Sequence, residues 1–295
     1  MKGPIATPSL VNQNKYVFGI IDAKSKFLIQ YFIQHKDEVL ECFKIFHDTF
    51  IPYIRAMNTN MPGIIVFSDK GEFHSKDVEA YCLSVGIKPL TTCAHSPQQN
   101  GIIERTWRSI TEAAIAMLLT ANLPEPYWEE ARRTAGHIRN RITGGHPGID
   151  PVSPFEKFFG IKPHIRYFKI FGVWAFPKIP VKDKDHSAKS QQGVFVGYDD
   201  IAMGGYKIYL PETDEFVVST HVTFGKSPNR TRNTIESEET VDMQSDRLNV
   251  QQVMIDHLNA VLQKHIDNIV LPDITDPPTG NTVDVSTATV ASTDE

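Results

Sequence analysis

Cysteine is scarce in this sequence: Cys42, Cys82 and Cys93 are the three in 295 residues. Their spacing gives neither a disulfide framework nor a Cys-x-x-Cys metal knuckle, and no paired His/Cys zinc motif accompanies them. An intracellular protein with free thiols is therefore expected. No apolar run reaches membrane-spanning length, and the opening residues MKGPIATPSLVNQNKY lack the charged-then-apolar order of a secretory signal. Internal repeats are absent. Excess positive charge is missing too. The net charge of −5 argues against a nucleic-acid binder until its distribution is read. Residues 226–295 carry five basic and twelve acidic side chains, a local −7, which leaves +2 on the first 225. Residues 157–193 hold eight Lys/Arg against Asp183 and Asp185, a local +6. The acidity thus belongs to the tail and a basic segment to the body. On charge alone that segment reads equally as a solvated, lysine-rich loop.

What remains is ordinary globular composition, 41% hydrophobic and 22% charged, in a chain long enough for one or two cores. Tyr16–Ile21 and Phe27–Ile33 are β-branched and aromatic runs around "DAKSK", a hairpin by pattern. Val39, Phe43, Phe46, Phe50, Tyr53 and Met57 then recur at steps of three and four, so 37–57 is a helix with one apolar stripe. "GIIVFSD" reads as a strand buried on both faces. Ser75 caps a short helix that Gly86 ends, and 87–91 is another strand. "TCAHSPQQNG" reads as a loop. It leads into a long helix with Ile103, Trp107, Ile110, Ala114, Met117 and Ala121 on one face, and a further helix covers 128–141. This is an α/β layer fold with a mixed sheet over 1–145. After a linker at 146–164, "YFKIFGVWAFPKI", "QGVFVGY", "GYKIYL" and "EFVVSTHVTF" predict a small all-β module at 165–225. The acidic tail, 226–295, has a disordered composition, with one possible amphipathic helix at 247–267.

Two carboxylates stand out. Asp69 ends an apolar strand, the place where α/β sheets put their sites. Glu104 lies on the long helix, pointing away from the face held by Ile103, Trp107 and Ile110. Brought together, such groups repel unless a cation lies between them, and oxygen-only ligands favour Mg²⁺ or Mn²⁺ over zinc. Spacing alone leaves the plainer alternative open: Asp69 as a turn residue, Glu104 as an acid facing the positive end of its helix.

The words "FSDKGEF…Y…GI…T…PQQNGIIER" resemble the integrase catalytic core of copia-type retrotransposons. "PFEKFFGIKPHIRYFKIFGVWAFP", "GVFVGY", "GYKIY" and "STHVTF" resemble the β-rich, SH3-like segment that follows this core in the same polyproteins. The likeness runs from about Gly3 to Phe224, and no reverse-transcriptase motif accompanies it. The resemblance implies a ribonuclease-H-like fold with three acidic residues binding two divalent ions, which trims DNA ends and joins them to target DNA. By that resemblance Asp69 is the second acid and Glu104 the third. Residues 92–101 are the mobile segment beside them, in which Pro97, Gln98, Gln99 and Asn100 meet nucleic acid and Gly101 permits movement. Arg105 and Arg108 are placed to contact phosphate, or else to pair with Glu104 or Glu112 on the helix surface. The same likeness implies DNA as partner, multimers as the working state and the nucleus as the place of action.

Two departures qualify it. The turn after Asp69 is one residue shorter than the family pattern, leaving 34 residues between Asp69 and Glu104. The family's first aspartate precedes a Gly-Pro pair on the central strand. Gly3-Pro4 matches that pair, so the acid and most of its strand are expected before Met1, and the chain as it stands is expected not to join DNA. Asp22 is a possible substitute, but its position suits the cap of the hairpin turn better. A sheet interrupted at its centre is expected to leave unpaired backbone groups.

Overall fold

A computed structural model describes residues 1–57, 63–68, 73, 75–91, 97–143, 152–178, 191–199 and 205–225, with backbone alone at 56, 57, 91 and 97–100. Strands β1 (Tyr16–Ile21) and β2 (Leu28–Ile33) pair antiparallel along their whole length. Their turn is closed by Asp22, whose carboxylate accepts from the backbone N–H and the hydroxyl of Ser25, each at 2.6 Å. Helix α1 (Val39–Met57) buries Val39, Cys42, Phe43, Phe46 and Ile51, following the apolar stripe in its sequence. Strand β3 (Ile64–Ser68) runs parallel to β4 (Ile87–Thr91). Helix α2 (Lys76–Ser84) connects them, its first turn capped by the Ser75 hydroxyl, which accepts from the Val78 N–H. Pro89 sits in β4, a strand bonded on one edge only among the described residues, where a missing N–H costs nothing.

One hydrophobic cluster serves both strand pairs. Phe18 and Ile33 of the hairpin and Ile87 of β4 pack with Phe43, Phe46, Val78 and Cys82. The two pairs are nonetheless separate sheets: no hydrogen bond joins β1 to β3 among the described residues. The free edge of β1 instead meets Lys2, which exchanges two 2.9 Å backbone bonds with Val17. Among the described residues β1 and β3 therefore stand in separate sheets. β3 also corrects an expectation. It is covered on one face only, with Ile65 52% and Phe67 55% exposed. A short apolar run cannot say how many of its faces are covered.

Helix α3 (Pro97–Ala121) is longer than expected. The segment "PQQNG", expected as loop, is its first turn, because proline suits the first helical position and glutamine propagates a helix. Gly101 therefore lies inside the helix. α3 buries Trp107, Ile110, Ala114 and Ala121, then turns at Asn122 into α4 (Trp128–Arg141). The Trp107 indole lies directly on β1 at Gly19, where an added Cβ would come within 2.4 Å of the ring. α4 is tied to β2 by Asn140, whose side chain accepts from the Leu28 N–H at 2.9 Å and donates to the Leu28 carbonyl at 2.7 Å.

The stretch expected as linker holds α5 (Pro154–Phe159). Its Phe155, Phe158 and Phe159 surround Phe27, and the Tyr53 hydroxyl donates to the Phe159 carbonyl at 2.8 Å. Five antiparallel strands follow: β5 (Trp174–Pro177), β6 (Gly193–Asp199), β7 (Gly205–Leu210), β8 (Glu215–Ser219) and β9 (Val222–Phe224), in the order β8-β7-β6-β5-β9. One side of this sheet packs Phe195, Tyr198, Tyr206 and Ile208 together. The other sets Val194 and Val196 against Ala121, Tyr127 and Ala131. The possible tail helix lies outside the described residues, and no described helix is long and apolar enough to cross a membrane.

Asn140→Leu removes both Leu28 contacts and strands two buried backbone groups, at about 1–3 kcal/mol each. A loss of about 2–5 kcal/mol in urea denaturation is expected, with the hairpin turn exchanging its amides faster.

Candidate active site

Glu104 lies in the third turn of α3, exposed, at the flank of the face that buries Trp107 and Ile110. Because Trp107, one turn on, is clamped against Gly19, the backbone carrying Glu104 is held over β1. No hydrogen bond or ion pair engages its carboxylate among the described residues, which suits a group kept free for a ligand. Arg105 and Arg108 are exposed beside it, and neither pairs with Glu104 or Glu112, the arrangement that a purely structural role would need. Asp69 directly follows Ser68, the last residue of β3, and itself lies outside the described residues. Gln98, Gln99 and Asn100 belong by backbone to the first turn of α3, and their side chains likewise fall outside. Asp22 is occupied by Ser25, as its place in the turn suggested.

The donor set as described does not hold a metal by itself. No group of three or more His, Cys, Asp or Glu converges among the described residues, and Glu104 stands alone there. Cys42 and Cys82 are free, buried thiols, each pushed up to about 11 by burial, as expected of structural cysteines.

The strongest electrostatics lie behind the site, on α4. Glu129 is 1% exposed; it accepts from Asn14 at 2.9 Å, from Asn12 at 3.1 Å and from Arg133 at 3.0 Å. Burial pulls its pKa upward, but Arg133 and the hydrogen bonds of Ser9 and Asn14 prevail, so the carboxyl sits below its ordinary range. Glu130, 2% exposed, takes the Lys207 ammonium of β7 at 2.9 Å through Oε1. Burial, only partly offset by Lys207, holds this carboxyl above the usual range. Beside them the Thr134 hydroxyl meets a bulge in β6 at Gly197, whose φ is +145° and whose missing Cβ would lie 2.6 Å from it. His137 stacks on Tyr198 with ring centres 4.4 Å apart, its Nε2 2.7 Å from the Tyr167 hydroxyl. Sequence reasoning missed these partners, and nothing local to "WEEARRTAGHIRNR" could have supplied them.

Residues 174–238 match the family described as retroviral polymerase SH3-like domain. The chain is 32% identical over 233 residues to the retrovirus-related Pol polyprotein from transposon TNT 1-94 of Nicotiana tabacum, covering 78% of this chain and 17% of that protein. It is 29% identical over 227 residues to the corresponding polyprotein from transposon RE1 of Arabidopsis thaliana, covering 75% and 15%. It therefore spans less than a fifth of these relatives. Among solved structures, the catalytic core domain of BIV integrase aligns at 20% identity and a TM-score of 0.36, over 49% of this chain and 85% of that one. A simian T-cell lymphotropic virus intasome in complex with PP2A regulatory subunit B56 gamma aligns at 14% identity and 0.38, over 72% and 73%.

Two outcomes test the α4 electrostatics. Lys207→Met leaves Glu130 buried and unpaired and should cost about 3–5 kcal/mol, most of it recovered when Glu130→Gln is added. The Glu129 contribution is fully present above the unfolded carboxyl value of about 4.3 and is lost as pH falls through the lower folded value. Glu129→Gln should therefore lower stability at neutral pH and flatten its decline in acid, both read from denaturation midpoints.

The relatives, the SH3-like match and the order of α/β part and β module together place the chain: it belongs with the retrovirus-related Pol polyproteins of transposons.

Proposed function

We propose that this chain carries part of the strand-joining core of a retrotransposon integrase, with Asp69 and Glu104 as two of the carboxylates of its reaction centre. The observation that carries this reading is the Glu104 carboxylate, unengaged among the described residues, on a helix held against β1 and flanked by two exposed arginines that pair with no described acid. Glu104 and Asp69 would hold Mg²⁺ or Mn²⁺, which supplies the Lewis acidity that activates an attacking hydroxyl and stabilises the departing oxygen. Arg105 and Arg108 bind backbone phosphates, which fixes the register of the DNA without reading its sequence. Gln98, Gln99 and Asn100, in the first turn of α3, bear on the DNA end. By this reading the working form is a multimer on DNA and acts in the nucleus.

A second reading has its own support. No third acid joins Glu104 among the described residues, and Asp22 is spent on its turn. A non-catalytic remnant binding nucleic acid through its basic segment would look the same there.

Two measurements separate them. Mn²⁺ binding, followed by water-proton relaxation, should weaken by about tenfold or more in Glu104→Gln and in Asp69→Asn, as loss of a direct ligand should cost no less than loss of its supporting contacts. Unchanged affinity in both variants would overturn the carboxylate assignment. In a strand-transfer assay with Mn²⁺ and short duplexes, joining that disappears in Glu104→Gln selects the enzyme, and salt-sensitive DNA binding without joining selects the remnant.

A further inference from the structure

Arg139 of α4 is a partly buried guanidinium with no acid beside it. It donates through Nη1 to the Lys26 carbonyl at 2.8 Å and through Nη2 to the Thr106 hydroxyl at 3.3 Å, both neutral acceptors. No carboxylate lies within ion-pair distance among the described residues. Burial accordingly pushes its pKa down with nothing to oppose it. Such a cation is short of counter-charge, and a guanidinium bonded at two positions still has N–H groups to give.

The two acceptors bring two further elements to the same place. Lys26 belongs to the β1–β2 turn, with φ +65°, its ammonium folded onto the Ala23 carbonyl. Lys24, in the same turn, is exposed. Thr106 is on α3, and Arg105 precedes it, exposed and unpaired. The one acid of the turn, Asp22, is bound to Ser25. Arg139 thus holds the turn and α3 in fixed register, and the backbone positions of Lys24, Lys26 and Arg105 lie in or next to the segments it bonds, two residues along α3 from Glu104.

We propose that this junction is a phosphate-binding station for the nucleic-acid backbone, in which Lys24, Lys26 and Arg139 extend the phosphate contact of Arg105 away from the carboxylate site. It rests on the nucleic-acid reading above and carries it to a turn and an α4 residue that the sequence motifs do not mark. An extended polyanion is the occupant that fits, because the cations are spread over a turn and two helices and do not converge on one point. Arg139 anchors the station; the lysines, on the turn, supply adjustable charge.

The test is salt-dependent binding of a short duplex DNA, followed by fluorescence anisotropy, in the full chain. Lys24→Gln with Lys26→Asn removes two charges, and asparagine tolerates the left-handed backbone at position 26. The slope of log affinity against log salt should become shallower by about two, at about 0.9 per lost contact. Affinity at low salt should fall severalfold whatever the DNA sequence, with an unchanged thermal midpoint. Lys44→Gln on α1 should leave the slope as it was. If the wild type binds with salt dependence and the double variant keeps the same slope, the station is refuted and the nucleic-acid reading stands. If the wild type shows no salt-dependent binding, both fall.

Discussion

Everything in this fold leans on the burial of α4. Nine of its side chains or glycines, Trp128 to Asn140, are buried, although the helix is written largely in charged and polar residues. One side meets the β1–β2 hairpin through Asn140 and Gly136, a second meets α3 through Ala131 and Ala135, and a third meets the β module through Glu130, Thr134 and His137. A helix covered in this way has to answer each charge it carries, since a buried ion without a partner costs several kcal/mol. Arg133 and Asn14 answer Glu129, Lys207 answers Glu130, and carbonyl and hydroxyl oxygens answer Arg139.

The consequence for function runs through α3. Glu104 touches nothing that would orient it directly. Its position comes from Trp107 pressed on Gly19 and from α3 lying against α4. Because the module packs on the opposite side of α4, the α/β part and the β part share a helix and are not merely strung together. The aromatic residues of α5, closing over Phe27, fasten the connecting chain as well.

Much of this was legible in the sequence. The apolar stripe of α1, the hairpin with its Asp22 turn, the Ser75 cap and the small all-β module follow from periodicity and turn chemistry. The family motifs pointed to Asp69 and Glu104, and the structure leaves Glu104 exposed and unengaged, with Asp69 outside the described residues. What could not be read has a common cause: it depends on distant partners. "PQQNG" looks like a loop until a 25-residue helix propagates back through it. The run "GIIVFS" looks buried on both faces, yet Ile65 and Phe67 stand exposed on one of them. The glutamates of α4 look solvated until Lys207, 77 residues away, arrives beside one of them.

The central claim is that α4 binds the two parts into one cooperative unit. Native-state hydrogen exchange across a denaturant series tests it directly. Amides of α4, of β1–β2 and of β6–β7 should exchange with one opening free energy and one denaturant dependence, that of global unfolding. Exchange of β6 and β7 through a lower-energy opening, with α4 still protected, would contradict it.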